Sequence, residues 1–226
     1  MTPAEISAIA VSLQVSLVAV ICSLPLGIAA GWLLARKRFP GKLLLETCVN
    51  LPLVMPPVVT GYLLLVAFGR EGVIGSWLQE WFGVQLVFDW KGAALAAAVV
   101  SFPLLVRSIR SAIAGVDVRL EDAARTLGAA PWDLFFSVTL PLARRGVIAG
   151  AVLAFARALG EFGATIMIAG NIAGETRTIP LMIYSELETP GGERNIIALI
   201  VASIAISAAA LFVSEYLERR VEPAAH

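Results

Sequence analysis

The chain has 226 residues, of which 58% are hydrophobic and 15% charged, with a mean hydropathy of +0.84. Soluble domains carry about 25% charged residues, so this is the composition of an integral membrane protein. A formal net charge of zero gives no overall basic balance to suggest nucleic-acid binding, and a single histidine, His226, leaves almost no material for histidine-based metal or base chemistry.

The first uncharged run extends from residue 6 to residue 35 and exceeds the 20 or so residues needed to cross a bilayer. Arg36-Lys37-Arg38 follows it, whereas a signal peptide carries its positive charge in front, so a retained span is expected. The second span, 43–68, contains Asn50, Pro52, Pro56, Pro57 and Gly61, each of which removes a helix donor or weakens the helix, so a kinked or broken helix is expected. Cys22 and Cys48 lie in these two runs, where the default is a buried thiol acting as a small hydrophobe.

Ile74, Trp77, Leu78, Trp81 and Phe82 then recur at helical spacing, as in a short helix lying in the membrane interface. A third apolar run, Ala93 to Val106, is short; Trp90 at one end and Arg107 and Arg110 at the other extend it to a span of 90–110 by anchoring and snorkelling. The fourth span, 146–170, carries Arg157 and Glu161 within it, and the fifth covers 196–216. The connection between them has a turn signal at Pro190-Gly191-Gly192 and a short helical stretch near Leu181 to Leu187.

Five spans place the termini on opposite sides of the membrane. Of the 17 Lys and Arg residues, 12 fall on one side and 4 on the other, with Arg157 inside a span. The positive-inside rule then puts the N-terminus outside and the C-terminus in the cytoplasm.

One polar island, residues 116–141, lies on the cytoplasmic side. Leu120, Ala123, Ala124, Leu127 and Leu134 give it an amphipathic pattern, interrupted by Gly128 and restarted near Pro131, which reads as two short helices at an angle. On physics alone it is either an ordinary loop resting on the membrane or a surface held out for a partner. Asp122-Ala123-Ala124, three residues, Gly128, nine residues, then Val138-Thr139-Leu140-Pro141 reproduces the spacing of the EAA loop. On these residues the chain resembles the permease subunits of binding-protein-dependent ABC importers. Asp122 stands where that family has Glu, and Val138 where it has Ile; Glu121 lies beside Asp122. The segment from Arg157-Ala-Leu-Gly-Glu161 through Ala169-Gly-Asn-Ile172 to Glu175-Thr-Arg-Thr-Ile-Pro180 is similar to permeases for tetrahedral oxyanions, and within these to molybdate permeases.

The resemblance implies a single all-α membrane domain over 1–226, with five transmembrane helices, the type I ABC importer permease fold and a cytoplasmic coupling loop. It implies a homodimer, two cytoplasmic ABC ATPase subunits, and a periplasmic or lipoprotein oxyanion-binding protein, in the bacterial plasma membrane and without nucleic acid. Glu121, Asp122, Ala123, Ala124, Arg125, Gly128, Leu140 and Pro141 are the implied ATPase-coupling residues. No cofactor is expected on this chain, which has no G-x-x-x-x-G-K-[ST] phosphate loop; ATP and Mg belong to the partner.

For the route through the membrane the residues leave alternatives open. Arg157 and Glu161 are four apart and can pair, either to pass an anion or as a structural ion pair. Asn50, Pro56, Pro57 and Thr60 mark either a route lined by a broken helix or a kinked packing helix. Tungstate or sulfate/thiosulfate transport is the neighbouring alternative to molybdate. A membrane scaffold that docks a cytoplasmic partner is an alternative of another class, whereas an intramembrane enzyme finds no G-x-S-x-G, H-E-x-x-H or paired aspartates in the spans.

Overall fold

The computed structural model describes residues 2–189 and 193–220, and every regular element among them is helical. The turn expected at Pro190-Gly191-Gly192 lies outside the described residues.

Helix α1, Pro3–Arg36, is opened by a capping box in which Glu5 N–H donates to Thr2 Oγ1 at 3.3 Å and Thr2 N–H to Glu5 Oε2 at 2.7 Å. The second span is two helices, α2 (Lys42–Val54) and α3 (Pro57–Phe68), bent by 113°. Pro56 and Pro57 cause the break: neither has an N–H to continue the ladder, and each forces the residue before it out of the helical region. Met55 accordingly sits extended, at φ −69°, ψ 145°. Helix α4, Val73–Phe82, is the short aromatic helix expected between spans, with Trp77, Trp81 and Phe82 exposed. Helix α5, Trp90–Ala114, is capped by Asp89 and runs well past the short apolar core of the third span at both ends.

The polar island departs from expectation. Only α6, Val118–Thr126, is a separate short helix. Its expected partner is the beginning of the fourth membrane helix, because α7 (Pro131–Leu134), a π-helical segment (Phe135–Thr139) and α8 (Leu140–Leu159) follow without interruption. The π segment has a local cause in Pro141, which offers no N–H to the carbonyl of Ser137 and whose ring would crowd it; the ladder widens instead, and Leu140 N–H bonds Phe135 O. The fourth span therefore does not run 146–170 as a single helix. It ends at Leu159, and the rest is a separate short helix, α9 (Gly163–Ala169), after a break at Gly160 to Phe162. Helices α10 (Ile179–Leu187) and α11 (Glu193–Arg220) complete the fold.

Among the described residues, four helical stretches are long and apolar enough to cross a membrane: α1, α5, Pro131–Leu159, and Ile196–Val213 within α11. The bent α2–α3 pair counts as the fifth.

Helix α5 is the axis on which the others pack. Its Ala93, Ala96, Ala97, Leu105, Ile109 and Ile113 have no exposed surface. Helices α1 and α8 approach it closely through two Gly-x-x-x-Gly pairs. A Cβ at Gly27 would lie 2.8 Å from Leu105 Cδ2, one at Gly31 2.7 Å from Ile109 Cγ2, one at Gly150 2.9 Å from Ser108 Cβ, and one at Gly146 would overlap Ala112 Cβ. Small residues four apart let membrane helices meet where lipid supplies no hydrophobic drive between them. Helix α10 is tied to α1 by Ile179 N–H donating to Ser12 Oγ at 2.7 Å, both residues buried.

One expectation fails. Cys22 and Cys48 are exposed rather than buried, and α2, which carries Cys48, has no buried residue at all. In a membrane chain an apolar run faces lipid or a partner as readily as its own core, so hydrophobicity does not report burial.

Helix α3 crosses α9 at Gly61, where an added Cβ would stand 2.6 Å from Ala164 O and 2.7 Å from Ala164 Cα. Those are backbone atoms that cannot rotate away. Gly61→Ala is expected to lower thermal stability of the purified protein by an overpacking cost of about 1–3 kcal/mol; an unchanged melting temperature in detergent would contradict this contact.

Candidate functional site

Two places carry the charged and conformationally special residues: the cytoplasmic island and a pair of facing helix breaks within the span region.

In the island, Asp117 caps α6 by accepting Arg119 N–H at 2.9 Å. Along α6 the burial is the reverse of an ordinary amphipathic helix. Its one buried residue is Glu121, 2% exposed, while Val118, Leu120 and Leu127 are 48%, 49% and 89% exposed. Ala123 and Ala124 are exposed and half-buried, so the helix shows a small-residue surface between these apolar side chains. Glu121 points inward, where its Oε1 accepts from Arg36 Nε at 3.0 Å and from Thr139 Oγ1 at 2.9 Å. Asp122 points outward and pairs with Arg125 at 2.6 Å. The neighbouring carboxylates thus do different work: one holds the helix to the body and the other lies on its open face.

Gly128 ends the helix with φ +87°, in the left-handed region that glycine enters without strain. Its N–H bonds Arg125 O at 3.0 Å, and nothing lies within 4 Å of where a side chain would begin. Beyond it Trp132 and Phe136 are 74% and 59% exposed and stacked at 6.4 Å. Pro141 is exposed, and Leu140 is half-buried in the wall of a cavity of about 740 Å³ between α1 and the start of the fourth span, which Trp32, Trp132 and Phe135 also line. An exposed apolar surface of this extent, set on a charged segment, has the chemistry of a protein docking site.

In the span region, the break after α2 and the break after α8 meet. A Cβ on Gly163, the first residue of α9, would lie 3.0 Å from Pro57 Cβ. Arg157 and Glu161 are joined at 2.8 Å, though not on one continuous helix face as their spacing suggests. Arg157 is in the last turn of α8, while Glu161 lies in the break and its Oε1 accepts Ala164 N–H at 2.7 Å, so the carboxylate ties the end of α8 to the start of α9. Thr60, 5% exposed, starts the second turn of the structure's α3 with its hydroxyl oxygen lacking a hydrogen-bond partner among the described residues. Asn50 is drawn elsewhere: its Oδ1 accepts Arg107 Nε at 2.6 Å and its Nδ2 donates to Glu46 O at 2.6 Å, which joins α2 to α5. Pro56 and Pro57 line the bend itself.

A family model described as the inner membrane component of binding-protein-dependent transport systems matches residues 23–223. The chain belongs to that family. This permease is 58% identical over 219 residues to the molybdenum transport system permease protein ModB of Escherichia coli (strain K12), covering 97% of this chain and 96% of that one. It is 55% identical to ModB of Haemophilus influenzae over 218 residues, covering 96% and 95%. The sulfate transport system permease protein CysW of Synechocystis is further away, at 37% over 213 residues, covering 92% of this chain and 76% of that one. Among solved structures, an inward-facing MetNI methionine ABC transporter matches with TM-score 0.77 at 18% identity, covering 99% of this chain and 100% of that chain. A bacterial ABC transporter for the acidic polysaccharide alginate matches with TM-score 0.76 at 17% identity, covering 99% and 82%. At such identities the likeness establishes the fold, which is that of a type I ABC importer permease. The permease is a multi-pass inner-membrane transport subunit, and ATP hydrolysis falls to separate subunits.

Sequence reasoning missed Arg36, Thr139 and Arg107, the side chains that hold Glu121 and Asn50. Nothing in local spacing signals them, since Arg36 and Glu121 are 85 residues apart. The Gly27–Gly31 and Gly146–Gly150 pairs did carry a signal, their four-residue spacing.

Proposed function

We propose that this chain is the membrane-spanning permease of an ATP-driven molybdate importer. It works as a homodimer over two ATPase subunits that bind ATP and Mg, and takes the anion from an extracytoplasmic binding protein. The observation that carries the mechanical part is α6, which buries one carboxylate and turns its apolar residues outward. That is the arrangement of a rigid lever seated in a partner. The choice of molybdate is supported by greater identity to permeases named for molybdenum transport than to those named for sulfate transport.

In this reading Glu121, Asp122, Ala123, Ala124, Arg125, Gly128, Leu140 and Pro141 form or support the coupling surface, and the facing helix breaks line the route. Closure of the ATPases on ATP moves α6, and the continuous helix from Pro131 to Leu159 transmits that displacement to the break beside Glu161. A transit site needs only weak neutral donors, because tight binding would hold the anion in place. The Thr60 hydroxyl offers such a donor, beside the bend at Pro56 and Pro57.

The test is uptake of labelled molybdate into vesicles holding the permease, its ATPase and the loaded binding protein. Uptake that requires ATP and is outcompeted by tungstate more readily than by sulfate is expected; sulfate competing equally would move the substrate assignment, and no ATP-dependent uptake of any oxyanion would overturn the reading. Within the same assay Thr60→Val, which keeps the shape and removes the hydroxyl, is expected to leave ATPase docking intact and to slow uptake severalfold. Unchanged uptake would remove Thr60 from the route.

A further inference from the structure

The attachment of α6 to the rest of the molecule is unusually concentrated. Its backbone packs on α7 and the π segment, and its single buried side chain is Glu121. That carboxylate is the meeting point of three elements. Arg36, in the last turn of α1, reaches Glu121 Oε1 through Nε at 3.0 Å and Nη2 at 2.9 Å. The same Nη2 donates to the carbonyl of Val116, in the turn between α5 and α6, at 2.9 Å. Thr139, fully buried at the end of the π segment, donates its hydroxyl to Glu121 Oε1 at 2.9 Å. The Arg36 side chain is 14% exposed and that of Glu121 3%, so the pair is shielded from water and its charge-assisted bonds are of the strong, directional kind.

Helix α1 gains nothing for its own ending from this contact, since its C-cap bond is made by Lys37 N–H to Leu33 O. What Arg36 adds is a direct tie from the far end of the first span to the coupling helix. Helix α1 in turn packs along α5, through the close approaches at Gly27 and Gly31, and also against α8.

We infer that Arg36 is a positioning residue for coupling: it locks α6 to the end of α1, so that displacement of α6 drives the first span together with the fourth as one body. This rests on the reading of α6 as the surface moved by the ATPase. The geometry gives the route its selectivity. Force leaving α6 toward α5 through the chain must turn at Gly115, an exposed glycine with no side chain to hold it, whereas force leaving through Glu121 enters a largely shielded guanidinium fixed at two points.

The experiment uses the assembled importer in lipid nanodiscs, with Cys22 and Cys48 replaced by serine and spin labels introduced by Thr126→Cys in one sample and Ala29→Cys in another. Distances between the two copies are read with and without ATP, alongside molybdate delivered per ATP hydrolysed. In the parent, both distances are expected to change with ATP. In Arg36→Met the α6 distance should change as before while the α1 change falls at least threefold, and molybdate delivered per ATP falls at least fivefold with hydrolysis retained. Arg36→Lys keeps the charge but loses the two-point hold; it is read in the same way, is expected to fall between, and replaces Arg36→Met if that variant does not assemble. An α1 distance that follows α6 in these variants as fully as in the parent overturns the inference and leaves the coupling surface standing. An α6 that does not shift with ATP in the parent overturns the coupling reading, and the inference with it.

Discussion

Gly128→Glu is expected to abolish molybdate uptake while the spans remain assembled. Two effects act at one position. The backbone there is at φ +87°, where a residue with a Cβ is disfavoured by about 1–2 kcal/mol, so the end of α6 would unwind or re-aim. The space beyond the Cα is also open, and Leu127 and Trp132, near it in the chain, are exposed, so the new carboxylate would enter the apolar part of the interface. Burying an unpaired charge against a partner is far more costly than the local strain. Gly128→Asn separates the two effects, because asparagine tolerates the left-handed region and adds no charge; it is expected to keep most of the uptake. Co-purification of the ATPase together with vesicle uptake reads both variants. A Gly128→Glu protein that binds its ATPase and transports normally would show that this face is not an interface.

Arg157→Met is expected to give the largest loss of assembled protein. Glu161 is 2% exposed and keeps its bond from Ala164 N–H, but without Arg157 its charge has no counter-ion among the described residues. Removing one partner of a buried pair costs about 3–5 kcal/mol, a large part of the roughly 5–15 kcal/mol that holds a typical fold together. The double variant Arg157→Met, Glu161→Gln removes both charges, and the glutamine oxygen can still accept from Ala164. Assembly, followed by size-exclusion profile and thermal melting in detergent, is expected to recover in the double variant, and uptake with it. Recovered assembly with uptake still more than tenfold down would instead assign Arg157 to the passage of the anion. The geometry favours the structural outcome, because the carboxylate has one oxygen on each side of the helix break.

That the chain crosses the membrane in long apolar helices was legible because lipid imposes a length and an apolar composition on any helix that crosses it. The proline-rich break around Pro56 and Pro57 was legible for an equally local reason, the missing N–H groups. The fourth span was misread where local signals conflict. Residues 131–145 contain Asp133, Pro141, Arg144 and Arg145, which look like the end of a loop. The helix nevertheless continues through them, because the π segment absorbs the missing donor at Pro141. At the other end the apolar composition carries on past Gly160 although the helix does not, so a hydropathy window could not find the break that places Glu161.

What the amino-acid sequence determined by itself is therefore the membrane class, the number and order of the spans, the side on which the polar island lies, and the spacing that relates that island to importer permeases. Those properties depend on composition and on residues near one another in the chain. Which face of α6 is turned inward, which of two adjacent carboxylates is buried, and that Arg36 is the residue that holds it were decided only by the tertiary structure. A carboxylate is stable out of water only where donors converge on it, and here they come from the end of α1 and from the π segment, which folding alone brings together.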